Sequence, residues 1–250
     1  MKTKKSLSSL GGFLFFISGL LQAAEWSNTD IQLLYGEDYN FGSAPNGKAD
    51  IRTITLEHAS GWKYGDNYFF FDLTEETNGT EDTAVYGEYY TRLNLNKILA
   101  RPIPVENFYQ GTSIGLGINH GEDFQVGLYG LSTNWNIPGL NYFQMDFYAY
   151  DDMKGSLRTT YQITPAWDAD FNLGATRWVF HGFADFIGSR GAGTVRQTLV
   201  QPQLLLDIGK LLFAEQDRLL AGVEYHYWKN KFGVDGADDD VVQGMIKWNF

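Results

Sequence analysis

The chain has no cysteine among its 250 residues. That excludes a disulfide framework, a thiolate metal site and a lipidated N-terminal cysteine. Beyond residue 24 there is no run of 18 consecutive apolar residues, which excludes a further transmembrane helix. Basic residues are scarce, 19 against 30 acidic, giving a formal net charge of −11. A chain this acidic does not bind nucleic acid through its phosphates. The four histidines, His58, His120, His181 and His226, lack the spacing of a metal site. No G-x-S-x-G nucleophile elbow occurs. No catalytic residue, metal or cofactor is therefore expected. Helical runs rich in Ala, Leu, Glu and Lys are missing too. Aromatics make up 16% of the chain and glycines number 28, a composition suited to β-strands.

Residues 1–24 read as a cleaved secretory signal peptide. Lys2, Lys4 and Lys5 give a positive start. Residues 10–21 form an apolar core too short for a bilayer crossing, and Ala23 and Ala24 supply small residues for cleavage. The remainder, 25–250, fits a single domain, since barrels commonly reach this length.

What the mature chain does have is alternation. Val85, Gly87, Tyr89 and Leu93 fall on one face of their segment, and Glu88, Tyr90, Arg92 and Asn94 on the other. Phe143, Met145 and Phe147 alternate with Gln144, Asp146 and Tyr148, and Leu204 and Leu206 with Gln203 and Asp207. Successive side chains of a strand point to opposite faces, so each segment has one greasy and one wet face. Twelve strands are predicted, near 28–36, 50–60, 67–74, 84–95, 107–118, 123–135, 141–151, 155–165, 167–180, 196–209, 218–229 and 240–250. The expected fold class is all-β, a single closed antiparallel barrel crossing the outer membrane of a Gram-negative cell, with lipid around it. Connections 37–49, 74–83, 181–195 and 230–239 are expected to face outward. N-I-P-G-L-N (136–141) and T-P-A-W (164–167) are expected as short periplasmic turns, with a longer 96–106 on the same side.

A soluble sandwich would alternate as well, but its apolar face would be interior. Against it stands a polar face carrying Glu88, Arg92, Asp146, Arg158, Asp168, Asp170, Asp207, Glu224 and Lys247, opposite a large aromatic one. The ending V-V-Q-G-M-I-K-W-N-F also alternates to Phe250. It resembles the signal by which barrel-assembly machinery recognises outer-membrane proteins.

Four stretches carry a family resemblance: T-L-E-H-A-S-G-W-K-Y-G-D-N-Y-F-F-F-D-L (55–73), Y-Y-T-R-L-N-L-N-K-I-L (89–99), V-E-N-F-Y-Q-G-T-S-I (105–114) and G-L-S-T-N-W-N-I-P-G-L-N-Y-F-Q-M-D-F-Y-A-Y (130–150). In that order, with the aromatic C-terminus, they resemble the Tsx family of nucleoside-specific outer-membrane channels, and more closely its OmpK-type branch. The resemblance implies a monomeric twelve-stranded barrel whose narrow pore takes up nucleosides. It also implies that Phe41, in the pair Phe41-Gly42, contributes an aromatic ring to that pore. Asn40 stands where the nucleoside channels carry a basic residue.

The candidate pore-lining residues are Tyr35, Phe41, Glu57, Tyr68, Phe70, Asp72, Glu88, Arg92, Asp146, Tyr148, Arg158 and Glu224. Aromatic faces stack on flat bases for about 1–3 kcal/mol each, and carboxylates accept from ribose hydroxyls. Weak, repeated contacts let a solute both enter and leave. Other roles compete for these residues: girdles of Tyr and Trp at the membrane interfaces, and an interior salt-bridge network to which Glu88 and Arg92 belong. The acidic excess favours cations and neutral solutes over anions. Two further functions fit the same barrel, a surface receptor for phage or adhesion and, less well, an outer-membrane hydrolase. D-G-A-D-D-D (235–240) lacks Ca-loop spacing and reads as a solvated turn. N-G-T (78–80) matches a glycosylation sequon only formally.

Overall fold

The computed structural model describes residues 24–44, 46–79, 83–99, 103–155, 157–191 and 193–250. The signal segment, except for Ala24, and Thr80 of the sequon lie outside the described residues. Twelve strands follow in order: β1 Trp26–Asn40, β2 Lys48–Trp62, β3 Gly65–Glu76, β4 Ala84–Asn94, β5 Tyr109–His120 and β6 Gln125–Trp135, then β7 Tyr142–Asp152, β8 Thr160–Leu173, β9 Thr176–Ile187, β10 Gln197–Asp207, β11 Leu219–Lys229 and β12 Asp239–Asn249. Each strand pairs antiparallel with its sequence neighbours, and β12 closes on β1 with Gln32 opposite Lys247 and Leu34 opposite Met245. The all-β closed barrel is thus present, with no free strand edge in the sheet.

The wall reverses the burial pattern of a soluble protein. On β6, Leu131 is 49% exposed while its neighbour Ser132 is fully buried. The pattern recurs around the barrel. Ile31, Leu33, Ile54, Leu116, Phe147, Leu204 and Val223 are exposed, whereas Asp30, Gln32, Gln144, Asp146, Gln203 and Glu224 are buried. A contiguous apolar belt of this extent, around a polar interior, suits lipid as the outer solvent. Leu204 and Phe147 point outward, and Gln203 and Asp146 inward, as their alternation predicts.

Three expectations need correction. First, T-P-A-W (164–167) is not a turn. Residues 160–173 form the continuous strand β8, and the hairpin to β9 turns at Gly174-Ala175, where Gly174 adopts a φ of +61°. Pro165 is accommodated because its missing N–H leaves only a local gap in the β8–β9 ladder, between Ile163–Phe186 and Ala166–Phe183. Pro202 leaves a matching gap between β10 and β11. Second, residues 181–187 belong to β9 rather than to a loop. Third, length does not mark the outward side. Both described termini and the two longest connections, 95–108 and 208–218, share one end of the barrel, here called proximal. Those connections contain the short helices α1, Leu95–Ile98, and α2, Ile208–Phe213. Asn94 Oδ1 caps α1 by accepting from Asn96 N–H at 2.9 Å, and Asp207 Oδ1 caps α2 by accepting from Lys210 N–H at 2.9 Å. The distal connections are no longer than nine residues.

Candidate functional site in the barrel lumen

The register decides which side chains enter the lumen. Asp30, Glu57, Phe70, Glu88 and Asn119 lie opposite one another across β1 to β5, and so share the inner face. From there the alternation assigns Asp66, Tyr68 and Asp72, then Tyr90 and Arg92, to the same side.

Three lumenal cations, Arg92, Lys247 and Arg177, are each shared among carboxylates. Arg92 Nη1 donates to Asp66 and Nη2 to Asp146, both at 3.0 Å. Asp146 also accepts from the Ser132 hydroxyl and from Gln144 Nε2 at 2.8 Å. Lys247 Nζ lies between Asp30 at 3.0 Å and Glu57 at 3.2 Å. Arg177 contacts Asp170 at 3.1 Å, Asp207 at 3.2 Å and also Asp217. At the distal end Lys231 Nζ donates to Asp239 at 2.7 Å and sits over the rings of Tyr39, Trp228 and Phe232. Sharing of this kind offsets the desolvation of a buried cation, which a single carboxylate does less well.

Five lumenal carboxylates, Asp72, Glu88, Asp168, Asp185 and Glu224, have no ion-pair partner among the described residues; Asp168, in the cavity wall, accepts from Asn141 Nδ2 at 2.9 Å. Asp72 accepts from Thr55 at 2.5 Å. Glu88 accepts from Tyr90 at 2.8 Å, Asn119 at 2.9 Å and Tyr86. Asp185 accepts from Thr164 at 2.5 Å and Gln162 at 3.1 Å. Glu224 is held by three glutamines, Gln203 and Gln243 at 2.6 Å and Gln201 at 3.0 Å. The acids gathered around Arg92, Lys247, Arg177 and Lys231 already outnumber these cations, so the lumen carries an acidic excess.

A cavity of about 730 Å³ occupies the proximal part of the lumen. It runs from the β6–β7 turn at Asn136, Leu140 and Asn141 inward to Glu88 and Asp185. Its wall mixes aromatic residues (Tyr68, Phe70, Tyr90, Phe183) with amides (Gln144, Gln201, Gln203) and with the Arg92–Asp146 pair. Distal to Glu88, Tyr86 stacks on Phe124 with ring centroids 5.8 Å apart. Tyr90 and Tyr148 stack at 6.2 Å and 19°. They lie flat because the facing wall positions are glycines. A Cβ on Gly115 would overlap the Tyr148 hydroxyl, and one on Gly117 would come within 2.6 Å of the Tyr90 ring.

Glu57, Tyr68, Phe70, Glu88, Arg92 and Asp146 line this cavity. Asp72, Tyr148 and Glu224 face inward but lie outside its lining. The other three candidates are elsewhere. Tyr35 alternates with inward Leu34 and Gly36 and points outward, with its hydroxyl on Glu37 at 3.1 Å. Phe41 sits in the β1–β2 turn with a φ of +65°, exposed at the distal rim, its ring 6.0 Å from that of Phe232. Arg158 is exposed in the β7–β8 connection, since β8 begins only at Thr160. Arg92 belongs to an interior ion-pair network, with Asp66 and Asp146, and Glu88 is not paired to it. Residues four apart on a strand are about 13 Å apart along it, too far for an ion pair. Arg92 instead reaches sideways to β3 and β7.

Sequence reasoning missed Asp66, His181 and Asp185. For the last two the signal was present. Arg177, Val179, His181, Phe183 and Asp185 alternate with Trp178, Phe180, Gly182, Ala184 and Phe186. His181 now contacts Gln203 inside the barrel. On the outer wall the cross-strand pair Thr29–His58 is linked at 2.7 Å and stacked on Phe69. No carboxylate accompanies that pair among the described residues, so a hydrolase triad is not assembled there. In 235–240, Asp238 accepts from Asn230 N–H at 2.7 Å and Asp239 holds Lys231, so that segment is tied into the loop.

No protein-family profile matches the chain, and no curated sequence does. Among solved structures, the KdgM porin is similar over 88% of this chain and 99% of its own, at 9% identity and a TM-score of 0.49. The translocator domain of the autotransporter NalP from Neisseria meningitidis covers 94% of this chain and 91% of its own, at 10% identity and a TM-score of 0.37. OprD from Pseudomonas aeruginosa covers 91% and 96%, at 11% identity and a TM-score of 0.27.

Proposed function

We propose that this chain is an outer-membrane channel for passive diffusion of small polar solutes, nucleosides among them. One observation carries the reading. A closed wall with an apolar outer belt encloses a polar, charged interior that contains a cavity of about 730 Å³. That volume is in the range of small-molecule sites, which run to about 300–1,000 Å³. In this reading the proximal end faces the periplasm. Nucleosides are the solute class that the Tsx resemblance implies, and the cavity supplies matching chemistry. Tyr68, Phe70 and Tyr90 offer ring faces, and Gln144, Gln201 and Asp146 offer partners for hydroxyl groups. Phe41, at the rim, is not part of that platform.

Single purified channels in a planar bilayer test the proposal. Stepwise conductance in KCl is expected, with adenosine reducing the current and Phe70→Ala weakening that reduction while Phe41→Ala leaves it in place. Absence of any conductance from folded protein would refute the channel. Normal conductance unaffected by every nucleoside would remove nucleosides and leave a general pore.

A further inference from the structure

The inner end of the cavity has a chemical character of its own. Glu88 on β4 and Asp185 on β9 approach it from opposite sides of the barrel, and both line it. Both carboxyl groups reach the same end of the cavity, and acids gathered in a partly dry space attract a counter-charge. Among the described residues no cation pairs with either acid. Arg92, Lys247 and Arg177 are each committed to two or three other carboxylates.

Asp185 adds an independent indication. It is 7% exposed, yet both of its hydrogen bonds, from Thr164 and Gln162, end on Oδ1. Its other oxygen, Oδ2, accepts from no side chain among the described residues and belongs to a residue that lines the cavity. A carboxylate oxygen with open lone pairs, on a residue that lines the cavity, can accept from a solute held there. Phe183 precedes Asp185 by two residues on the same face of β9, and Phe70 lies opposite Glu88 across β3 and β4; both rings line the cavity, and their faces attract cations and stack on flat bodies.

We propose that this end of the cavity is a recognition site for an organic cation, a protonated amine or guanidinium on a small aromatic body, with Asp185 and Glu88 as its counter-charges. The proposal deepens the channel reading and rests on it, since the site lies on the solute path. An ammonium donates in three directions and a guanidinium in a plane, so either can reach the open oxygen of Asp185 while its body lies against the rings. An anion of the same shape meets two carboxylates and is repelled.

Three probes of one skeleton and different charge test this: tyramine, its neutral analogue tyrosol, and the anion 4-hydroxyphenylacetate. Channel block is measured in the planar bilayer, and binding to detergent-solubilised protein is measured by calorimetry. Tyramine is expected to block and to bind about tenfold or more tightly than tyrosol, the ratio given by one net charge contact, with 4-hydroxyphenylacetate inactive. Asp185→Asn, checked for folding by heat-modifiable gel migration, should remove most of the preference for tyramine. Similar affinities for the three probes on the unmodified protein would overturn the cation site and leave the channel standing. An undiminished preference for tyramine in Asp185→Asn would also overturn the assignment. Charge-selective binding in detergent, from a protein that never conducts, would support the site and refute the channel.

Discussion

Arginine at Leu204 and arginine at Gln203 differ by one step along β10 and by the medium they enter. The strand has 11 residues. With a rise of about 3.4 Å per residue and a tilt of about 40°, it crosses roughly 28 Å along the bilayer normal. Leu204 lies two residues beyond the strand's midpoint at Pro202, only about 5 Å from mid-depth. Its cross-strand neighbours are Phe180 and Val223, both exposed on the apolar belt, with no acceptor between them. Leu204→Arg should therefore destabilise the barrel by about 2–4 kcal/mol. At Gln203 the side chain lies inside, beside Glu224 at 2.6 Å. Gln203→Arg loses an amide hydrogen bond of about 1 kcal/mol but gains an ion pair with a carboxylate that lacks one. A gap of at least about 2 kcal/mol between the variants, or roughly 30-fold in the folding equilibrium, follows. Reversible guanidinium unfolding in phospholipid vesicles, followed by tryptophan fluorescence, measures both. Equal losses, or a larger loss at Gln203, would mean that the wall faces the other way.

Other substitutions probe the interior. Asp146→Asn should lower the cation-to-anion permeability ratio, read from the reversal potential in a KCl gradient, because one wall charge is removed. It should cost only about 1–3 kcal/mol, since Arg92 keeps Asp66. Gly115→Val should displace Tyr148 towards the pore axis and reduce single-channel conductance without loss of heat-modifiable folding. Lys231→Met leaves Asp239 buried with the Asn40 N–H still donating to it at 2.7 Å. It should cost about 3 kcal/mol, the low end for a broken buried pair, and expose the 230–238 connection to protease.

The twelve strands and the facing of most side chains were legible because a period of two is a strong signal wherever one face meets lipid and the other water. Val85 to Asn94 and Gln197 to Asp207 both behave as their alternation predicts. The signal failed where composition imitates a turn. Pro165 sits in mid-strand, its lost donor absorbed as a ladder gap, and Gly182 interrupts the outward row of β9. Those two residues hid the end of β8 and the inner face of β9, and Asp185 with it. Pairing between lumenal charges was not legible at all. Arg92 reaches Asp146, 54 residues away, because β5 and β6 present Gly115, Ser113 and Ser132 between them. No local spacing encodes a contact that depends on small residues in two intervening strands.

The shared cations also constrain how such a lumen can diverge. Arg92, Lys247 and Arg177 each serve at least two acids. At Arg92 and Lys247, loss of the first acid leaves the cation paired whereas loss of the second strands it; Arg177, with three acids, is stranded only by loss of the third, and within each cluster the substitutions are not additive. Neutralising changes should therefore accumulate one per cluster before any cluster loses its last acid. A lineage following that order could drift in charge selectivity by single steps, each leaving the wall folded. The reverse order, loss of every acid around one cation, is closed to it unless the cation goes first or together with them.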